Sequence, residues 1–397
     1  MDRPPGSNAS SAPDPDAGAS QSVGLRRFLR YFLWLGTLGF GGPIATVGYM
    51  QRDLVEKHRW LDKQDFLNGV ALGQTMPGPL AAQVAMWVGF LQRGALGALL
   101  VALPFILPSF VVVLAVAIFY VRYQGLDWVQ ALFYGIAPGV MAIIAIAAVK
   151  LARLTNGKEA RLWVISAIAT VVTAVTQSEI ALLFIAAGLI MILWEAPPDL
   201  LRRSSAGILV SSPLLAQGVV LVGVSSETYV ALALFFLKAG AFIFGSGLAI
   251  VPFLREGVVE QHHWLNADQF LDAVAMGLIT PGPVVITATF IGYLVGGVSG
   301  AVLATVAIFL PIYLGVVVPG RWFIRHQHNA QLRAFVRGAT AAAAGAIAGA
   351  TIVLTREAVI DIPTAIIAVA GLALLWRFKV QEPVIVLLSG VAGVLLQ

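Results

Sequence analysis

The sequence carries the same interruption inside two long apolar runs. Gln74-Thr-Met-Pro-Gly-Pro79 lies in the first run, and Pro-Gly-Pro returns at residues 281–283 in the second, displaced by 204 positions. Other short elements recur at the same displacement: Phe40-Gly41 and Phe244-Gly245, Glu56 and Glu260, His58 and His262, Trp60-Leu61 and Trp264-Leu265, Phe66-Leu67 and Phe270-Leu271. A shared order of elements at one displacement indicates an internal duplication, so the fold has to accommodate two copies of one unit.

The apolar runs predict membrane-spanning helices. Residues 97–120 and 128–149 reach the roughly 20 consecutive apolar residues that a helix needs to cross a bilayer. Only 11% of the 397 residues are charged, whereas a soluble domain has about 25%. No segment of about ten residues alternates between polar and apolar side chains as a barrel strand does. We therefore predict an all-α polytopic membrane protein, with the lipid bilayer as its surroundings.

The charge balance and the lack of cysteine exclude several kinds of site. The formal net charge is +5, and in a membrane protein basic residues concentrate on cytoplasmic loops. No basic run lies on a soluble module, so we predict no nucleic-acid partner. The chain contains no cysteine, which excludes disulfides and thiolate metal sites. We predict neither a metal nor a cofactor.

Composition divides the chain into four parts. Residues 1–24 are rich in Pro, Ser, Ala, Gly and Asp and lack an apolar run, which predicts a disordered tail and no signal peptide. We predict a first repeat at 25–205 and a second repeat at 229–397. Between them, 206–228 is a linker, whose weakly apolar stretch 208–223 either crosses the membrane or lies on its surface.

Each half contains six apolar segments. In the first half they lie at about 28–45, 66–92, 96–121, 127–150, 161–177 and 179–194. In the second half they lie at about 229–250, 268–294, 299–320, 334–355, 362–377 and 382–397. The last two segments of each half have only about 16 residues, which fits either tilted spans or a re-entrant hairpin. Both alternatives give an even number of crossings.

Basic residues in matching loops favour opposite sides of the membrane. Loop 150–161 contains four of them, whereas its counterpart 355–361 contains only Arg356. Conversely, 121–127 contains only Arg122, whereas 321–333 contains three arginines. The positive-inside rule makes the following parts cytoplasmic: the N-terminus with Arg26, Arg27 and Arg30, and loops 150–161, 202–203, 321–333 and 377–379. This predicts two inverted repeats, a pattern typical of secondary transporters; a duplication in parallel orientation is the alternative.

Four glycine- and proline-rich breaks interrupt the apolar segments. They are Gly39-Phe40-Gly41-Gly42-Pro43, Pro77-Gly78-Pro79, Phe244-Gly245-Ser246-Gly247 and Pro281-Gly282-Pro283. A helix that restarts after a break directs unpaired N–H groups and a partial positive charge into the break. We predict that the four breaks converge on one anion and bind it. The alternative is that they only allow kinks and close helix packing.

Two ionisable residues lie inside apolar segments, where such residues are costly and therefore informative. Lys238 stands where the first repeat has Trp34. It is either a buried cation that faces the anion or a lysine that snorkels from a helix end. Asp272 stands where the first repeat has Asn68. It either carries the coupling proton or cation, or lies at the surface near a helix end.

Neutral polar residues flank the Pro-Gly-Pro turns. Gln74, Gln83, Thr280, Thr287 and Thr289 can supply hydrogen bonds to a substrate, or they can form hydrogen bonds between helices.

Two acid–histidine pairs lie between the broken segments: Glu56 with His58, and Glu260 with His262. They belong either to loops at the membrane interface or to a proton relay. Elsewhere the sequence has no nucleophile elbow, no His-Glu-x-x-His and no paired intramembrane carboxylates. We therefore predict no catalytic residue and no enzyme activity.

These residues resemble the chromate ion transporter family in its long, two-domain form. In the first half the resemblance rests on Phe40-Gly-Gly-Pro43, Trp60-Leu61, Gln74-Thr-Met-Pro-Gly-Pro79, Gln83 and Phe105-Ile-Leu-Pro108. In the second half it rests on Phe236-Leu-Lys-Ala-Gly240, Phe244-Gly-Ser-Gly247, Trp264-Leu265, Thr280-Pro-Gly-Pro283, Gly292-Tyr293 and Pro311. It covers about residues 25–397. Two positions depart from the pattern: Ser246 replaces an expected glycine, and Leu278 replaces the glutamine found at Gln74.

The resemblance implies export of chromate across the bacterial inner membrane, with sulfate as the natural competitor. The residues alone lead only to an anion transporter that works by alternating access on an inverted repeat. The alternatives are a transporter or channel for sulfate or another oxyanion, a membrane-embedded enzyme, and a scaffold that transports nothing. A homodimer is left open.

Overall fold

The computed structural model describes residues 23–39, 42–176, 181–197, 224–243, 250–320, 322, 325, 329–378 and 380–397. Within these ranges the chain is helical and has no strand, which confirms the all-α class. The tail up to residue 22 and the stretch 208–223 lie outside the described residues.

The helices of the first half are α1 (Leu25–Leu38), α2 (Gly42–Met50), α3 (Lys63–Thr75), α4 (Leu80–Tyr123), α5 (Asp127–Asn156), α6 (Ala160–Thr176) and α7 (Ala181–Glu195). Those of the second half are α8 (Val224–Phe242), α9 (Ile250–Arg255), α10 (Ala267–Ile279), α11 (Thr287–Val317), α12 (Ala330–Ala358), α13 (Ile362–Ala373) and α14 (Glu382–Leu396). Short π-helical segments continue α2, α9 and α13: Gln51–Lys57, Glu256–Gln261 and Leu374–Phe378.

Four helical stretches of the described chain are long and apolar enough to cross a membrane. They are Leu80–Tyr123, Asp127–Asn156, Val284–Val317 and Ala330–Ala358. Shorter apolar helices follow each pair: Ala160–Thr176, Leu182–Glu195, Ile362–Phe378 and Glu382–Leu396. The described chain is therefore a membrane-embedded helical bundle.

Helix α4 reverses direction at Arg93 and Gly94. Arg93 has φ −145°, and Gly94 has φ 62° with ψ −150°, a conformation that glycine adopts without a steric penalty. A Cβ on Gly97 would collide with the carbonyl group of Gly89, eight residues earlier, so the two parts of α4 pack against each other. We call residues 80–92 the short arm of α4 and residues 95–123 its long arm.

Helix α11 contains the same reversal. Gly296 (φ −142°) and Gly297 (φ 60°, ψ −150°) reproduce the backbone angles of the turn in α4, and Gly292 packs against Gly300. Residues 287–295 are the short arm of α11, and 298–317 are its long arm. This match lies at a displacement of 203, so the second copy has become one residue shorter after its Pro-Gly-Pro turn.

The first repeat begins with a helical hairpin formed by α1, α2 and the π-helical segment that follows. The chain leaves this first hairpin at Trp60, whose ring centroid lies 6.2 Å from those of Phe28 and Tyr31 on α1. The Arg27 guanidinium lies 5.3 Å from the centre of the same ring. The chain has therefore returned to the end of the bundle where α1 began, which we call the Trp60 end.

A second hairpin, formed by α3 and the short arm of α4, starts and finishes at the same end. Trp87 on the short arm donates a hydrogen bond from Nε1 to the carbonyl oxygen of Asp65 on α3, at 2.9 Å. Gln92 Nε2 donates to the Trp60 carbonyl oxygen at 3.2 Å and so joins the bases of the two hairpins. The Pro-Gly-Pro turn forms the tip of the second hairpin.

The second repeat builds a third hairpin (α8, α9 and its π-helical segment) and a fourth hairpin (α10 and the short arm of α11). In the third, Phe235 stacks on Phe253 with centroids 5.3 Å apart and lies 5.7 Å from Trp264. Tyr229 Oη donates to the Gly296 carbonyl oxygen at 3.1 Å, which joins the two bases. We call this end of the bundle the Trp264 end.

The long arms connect the Trp60 end with the Trp264 end and run antiparallel. The long arm of α4 starts at Ala95 beside the second hairpin and reaches the fourth hairpin near its own end, where Tyr120 Oη donates to Asp272 Oδ2 at 2.8 Å. The long arm of α11 runs the other way, because Tyr313 Oη near its end donates to the Ala95 carbonyl oxygen at 3.0 Å.

Helices α5 and α12, which occupy equivalent positions in the two repeats, are also antiparallel. Arg337 near the start of α12 pairs with Glu159, just beyond the end of α5, and with Glu195 at 2.9 Å. At the other end, Tyr134 near the start of α5 donates to Asp361, just beyond the end of α12, at 2.6 Å.

Each terminal helix pair packs on the other repeat. Helices α6 and α7 lie along α12, where Gly345 adjoins Ser166 and Gly338 adjoins Ala187. Helices α13 and α14 lie along α5, where Gly135 and Gly139 adjoin Ser389. The short helices thus run along a long neighbour, and whether they are tilted spans or a re-entrant hairpin stays a prediction. The helical hairpins are formed instead by the first two apolar segments of each half.

We expect the packing of α6 on α12 to tolerate no added carbon. A Cβ on Gly345 would collide with the Ser166 carbonyl oxygen, whereas Gly48 on α2 has nothing within 4 Å. Because overpacking costs about 1–3 kcal/mol, Gly345→Ala should lower the midpoint of thermal unfolding of the purified protein. Gly48→Ala is the matched control and should not lower it. Equal midpoints for the two variants would contradict this packing.

Candidate functional site

The hairpin tips meet across the interface between the repeats. Gly78, at the tip of the second hairpin, donates its N–H to the carbonyl oxygen of Ile243, at the tip of the third, at 2.5 Å. Ser109 Oγ donates to the carbonyl oxygen of Pro281, at the tip of the fourth hairpin. Ser109 lies about 21 Å along the long arm of α4 from Ala95, since a helix rises 1.5 Å per residue. The structure therefore brings the two Pro-Gly-Pro turns to the middle of the bundle.

Six of the nine remaining break residues lie outside the described chain. Phe40, Gly41, Phe244, Gly245, Ser246 and Gly247 are not described, so their predicted role stays a prediction. Gly39 ends the first helix with its N–H on the Leu35 carbonyl oxygen, while Gly42 and Pro43 begin α2.

Local chemistry forces the chain to break at both Pro-Gly-Pro turns. Pro77, Pro79, Pro281 and Pro283 have no N–H to continue a helical hydrogen-bond ladder. Between them, Gly78 has φ 142° and Gly282 has φ 103°, conformations that side chains with a Cβ rarely adopt. In addition, a Cβ on Gly282 would collide with the Ser109 hydroxyl.

Helices α3 and α10, which start at the bases of the second and fourth hairpins, are capped by side chains, whereas the short arms that restart at the two Pro-Gly-Pro tips are not. Asp62 accepts hydrogen bonds from the N–H groups of Gln64 and Asp65, and Asn266 forms a capping box with Gln269. Pro79 and Pro283, which precede the short arms of α4 and α11, provide no side-chain cap. The first N–H groups of both short arms therefore remain donors without a side-chain acceptor.

Gln83 stabilises the first Pro-Gly-Pro turn. This fully buried side chain donates from Nε2 to the carbonyl oxygens of Pro77 at 2.7 Å and Met76 at 3.4 Å. Its counterpart Thr287 is shorter and donates to the Val284 carbonyl oxygen at 2.8 Å instead. Both hydrogen bonds stay within the residue's own hairpin, and binding of a substrate by these two side chains stays a prediction.

The second turn is stabilised from the other repeat, by Ser109. Sequence reasoning missed this residue, since a single serine in an apolar helix carries no signal of a partner 172 positions away. The motif Phe105-Ile-Leu-Pro108, which ends next to Ser109, was the one sequence feature that pointed to this part of α4.

Two more of the predicted polar residues, Thr280 and Thr289, form hydrogen bonds within the bundle, whereas Gln74 is exposed. Thr280 Oγ1 donates to the Met276 carbonyl oxygen at 3.0 Å, and Thr289 pairs with Thr305 on the long arm of α11 at 2.7 Å. Gln74 lies exposed at the end of α3, one turn before the first tip. Of this group, Gln74 is therefore the residue most available to a ligand.

Lys238, for which the sequence left a buried cation or a snorkelling lysine as alternatives, is exposed in the structure, and its role toward an anion stays a prediction. It lies on α8 five residues before Ile243, hence at about 7–8 Å along the helix axis from the tip of the third hairpin. Its ammonium lies 5.5 Å from the centre of the Phe253 ring on the other arm of that hairpin. An exposed ammonium at this depth either faces water or an anion or snorkels toward the membrane surface, because lipid does not solvate it.

The acid–histidine pairs lie at the hairpin bases, far along the chain from the tips. His58 stacks on Trp60 with centroids 4.7 Å apart, and His262 stacks on Trp264 at 4.2 Å. Burial lowers the pKa of His262 below its usual 6.5, which favours the neutral ring at pH 7. Glu260 pairs with Arg255 at 3.1 Å, whereas Glu56 accepts from Gln51 Nε2 at 3.3 Å. These positions fit the interfacial-loop alternative, and a proton relay stays a prediction.

Asp272 lies in the interior of the bundle and not at the surface near a helix end. Its side chain is 6% exposed, and its carboxylate accepts from Tyr120 across the interface between the repeats. Sequence reasoning missed a second buried carboxylate, Asp53, which Arg52 binds through two nitrogens at 2.9 and 3.3 Å. The two buried acids thus differ in whether a cation accompanies them.

Comparison with known proteins identifies relatives over nearly the whole chain. The family described as chromate transporter matches residues 26–192 and 230–394, which are the two repeats. A chromate transport protein of Cupriavidus metallidurans is 48% identical over 391 residues, covering 97% of this chain and 98% of the relative. A probable chromate transport protein of Synechococcus elongatus is 46% identical over 374 residues, covering 94% and 95%.

A shorter relative matches two fifths of the chain. An uncharacterized transporter of Bacillus subtilis is 25% identical over 157 residues, covering 40% of this chain and 86% of the relative. No solved structure matches the chain significantly.

We expect the two glutamines near the first tip to differ in their contribution to stability. Gln83→Leu would leave the buried Pro77 carbonyl oxygen without its donor, at a cost of about 1–3 kcal/mol. Gln74→Leu makes the same change at an exposed position and should alter stability by less than about 0.5 kcal/mol. Thermal unfolding of both purified variants measures the difference. If Gln83→Leu is as stable as Gln74→Leu, Gln83 does not support the turn.

Proposed function

Because this chain belongs to the chromate transporter family, we propose that it exports chromate across the bacterial inner membrane by alternating access. Both repeats match a family of transport proteins, and the two relatives described above that cover nearly the whole chain are named as a chromate transport protein and a probable chromate transport protein. The chain is therefore a transport protein and not an enzyme. The observation that carries the proposal further is the meeting of the broken segments at the interface between the repeats.

We infer that the two repeats are inverted across the bilayer. The support is that equivalent helices run antiparallel, and that the hairpins of the two repeats have their bases at opposite ends of the bundle. The long arm of α4 and helices α5, α6 and α7 bring the chain back to the Trp60 end. Helix α8 then starts at the opposite, Trp264 end.

The Trp60 end is the cytoplasmic side in this proposal, and the N-terminus is cytoplasmic with it. That end carries a large excess of basic residues: Arg26, Arg27, Arg30, Lys150, Arg153, Lys158, Arg161, Arg333 and Arg377. The Trp264 end carries Arg122, Arg255 and Arg356 together with several acids: Glu256, Glu260, Asp268, Glu357 and Asp361. The positive-inside rule assigns such a distribution a single orientation.

The anion site in this proposal lies between the tips, beside Lys238. Three features favour it: the restarting helices have no side-chain caps, Lys238 is exposed at the depth of the tips, and both tips contact the other repeat. A helix N-terminus stabilises a nearby anion by up to about 2 kcal/mol in a partly buried setting. A lysine about 4 Å from a unit negative charge adds about 4 kcal/mol at an effective dielectric constant near 20. Together they offset part of the dehydration of a dianion.

The membrane potential gives the direction. Chromate carries two negative charges, and each charge moved outward along an inside-negative potential gains about 2.3 kcal/mol per 100 mV. Outward movement of the dianion is therefore favoured by about 4–5 kcal/mol per 100 mV. Rocking of the repeats would open and close the contacts at the tips, such as that between Gly78 and Ile243, and so expose the site to each side in turn.

Sulfate is the second candidate substrate. It is a tetrahedral dianion like chromate, and a site built from N–H groups and one ammonium has no means to separate the two by charge. Competition for flux is therefore expected between them.

The test is uptake of radiolabelled chromate into everted membrane vesicles, where export appears as uptake. Lys238→Ala and Gly41→Leu should each reduce the initial rate at low chromate by at least about tenfold, since a loss of 1.4 kcal/mol already gives that factor. Lys238→Arg retains the charge and should retain more activity. Excess unlabelled sulfate measures competition.

Lys63→Ala serves as the matched control, because Lys63 is an exposed lysine at the base of the second hairpin. It should transport like the unmodified protein at equal expression. Normal chromate uptake by both Lys238→Ala and Gly41→Leu would remove the site assignment. Sulfate uptake without chromate uptake would replace the substrate.

A further inference from the structure

One buried carboxylate of the described chain lies at the interface between the repeats without a cation. Asp272 is on α10, five residues after the base of the fourth hairpin, and Tyr120 is on the long arm of α4. The hydrogen bond from Tyr120 Oη to Asp272 Oδ2, at 2.8 Å, therefore joins the second repeat to the first.

The surroundings of this pair are apolar. The Tyr120 ring lies 5.1 Å from that of Phe133 on α5 and 5.3 Å from that of Phe290 on the short arm of α11, measured between centroids. Leu271 and Ala273, on either side of Asp272, are buried as well. A carboxylate in such a site is destabilised by desolvation unless a cation or several donors compensate it.

Several charged groups on the neighbouring helices have partners other than Asp272, and the Arg122 guanidinium on α4 lies 6.0 Å from the centre of the Tyr123 ring. Arg255 on α9 binds Glu260 and Glu357. Tyr134 on α5 donates to Asp361. Glu256 accepts from Gln261, and Glu382 on α14 lies near Lys150. Asp268, one turn before Asp272, adds negative charge, which disfavours a second ionised carboxylate.

We propose that Asp272 is the proton-binding site that couples oxyanion transport to the proton gradient. A proton on Asp272 removes the cost of an unpaired buried charge, so burial favours the neutral acid over the carboxylate. The site lies toward the Trp264 end, and its partner belongs to the other repeat. Any motion of one repeat against the other changes the distance to Tyr120 and the access of water, and with them the affinity for the proton.

Coupling requires that the affinity for the proton depend on the conformation of the protein. A group whose proton affinity differs between two conformations shifts their balance when it binds or releases a proton. Asp53 does not meet this condition, because Arg52 on the same π-helical segment accompanies it. The first repeat has Asn68 where the second has Asp272, so only one copy of the duplicated unit carries the site.

This inference rests on the proposed function, so its test needs one measurement that does not depend on transport. Infrared difference spectroscopy on the purified full-length protein at neutral pH should show the C=O band of a protonated carboxylic acid. Asp272→Asn should remove that band. Asp268→Asn, an exposed acid one turn away, should leave it in place. A band that survives in Asp272→Asn, or is absent from the unmodified protein, overturns the proposal.

The second measurement is chromate flux in proteoliposomes with the membrane potential clamped. One pH unit is worth 1.36 kcal/mol per coupled proton, so it should change the chromate accumulation ratio of the unmodified protein about tenfold. Asp272→Asn retains an acceptor for Tyr120 and matches Asn68. It should still equilibrate chromate but show no response to the pH gradient, whereas Asp268→Asn should respond normally.

An unchanged response in Asp272→Asn would overturn the coupling role. If the unmodified protein moves no chromate, the proposed function fails, and the infrared result alone decides whether Asp272 holds a proton. Tyr120→Phe, which removes only the hydrogen bond, should shift the pH at which the infrared band disappears. An unshifted band would show that the contact between the repeats does not affect proton binding.

Discussion

Backbone groups that a helix break releases inside an apolar bundle have to find partners within the protein. The chain meets this requirement at each described tip with a specific donor. Gln83 serves the first Pro-Gly-Pro turn, Ser109 serves the second, and Gly78 serves the end of α8. Two of these three contacts cross between the repeats. Because the breaks are tolerated only when their freed backbone groups have such partners, the need for partners also brings the tips together at the centre of the bundle.

Duplication supplies the geometry twice, and single substitutions then give the copies different chemistry. The reversal in α4 and that in α11 have nearly the same backbone angles, and Arg59 and His263 share an unusual positive φ of 49° and 52° at the hairpin bases. At matching positions of the two repeats, the second repeat has Lys238 where the first has Trp34, and Asp272 where the first has Asn68. The cation near the tips and the unpaired buried acid thus both belong to the second repeat, while the first repeat provides Tyr120 and Ser109.

Local signals in the sequence predicted most of the elements, and long-range packing determined what they do. Apolar length and the Pro-Gly-Pro turns identified the helices and their breaks. They did not show that α1 and α3 lead into hairpins, because a segment that doubles back has the same composition as one that crosses. Gln83 was identified by its position next to a turn. Ser109, Tyr120 and Asp53 were missed, since the role of each depends on neighbours that no local pattern specifies. Whether Lys238 is buried or exposed could not be predicted either, because it depends on how α8 packs.

The most direct test of the inverted arrangement uses the lack of cysteine in the chain. Lys57→Cys and Gln261→Cys place single thiols at equivalent exposed positions in the π-helical segments of the first and third hairpins. A membrane-impermeant maleimide applied to intact cells should label Gln261→Cys at once, and Lys57→Cys only after the membrane is permeabilised. Labelling of both thiols from the same side would contradict the inversion and, with it, a site formed by hairpins that enter from opposite faces.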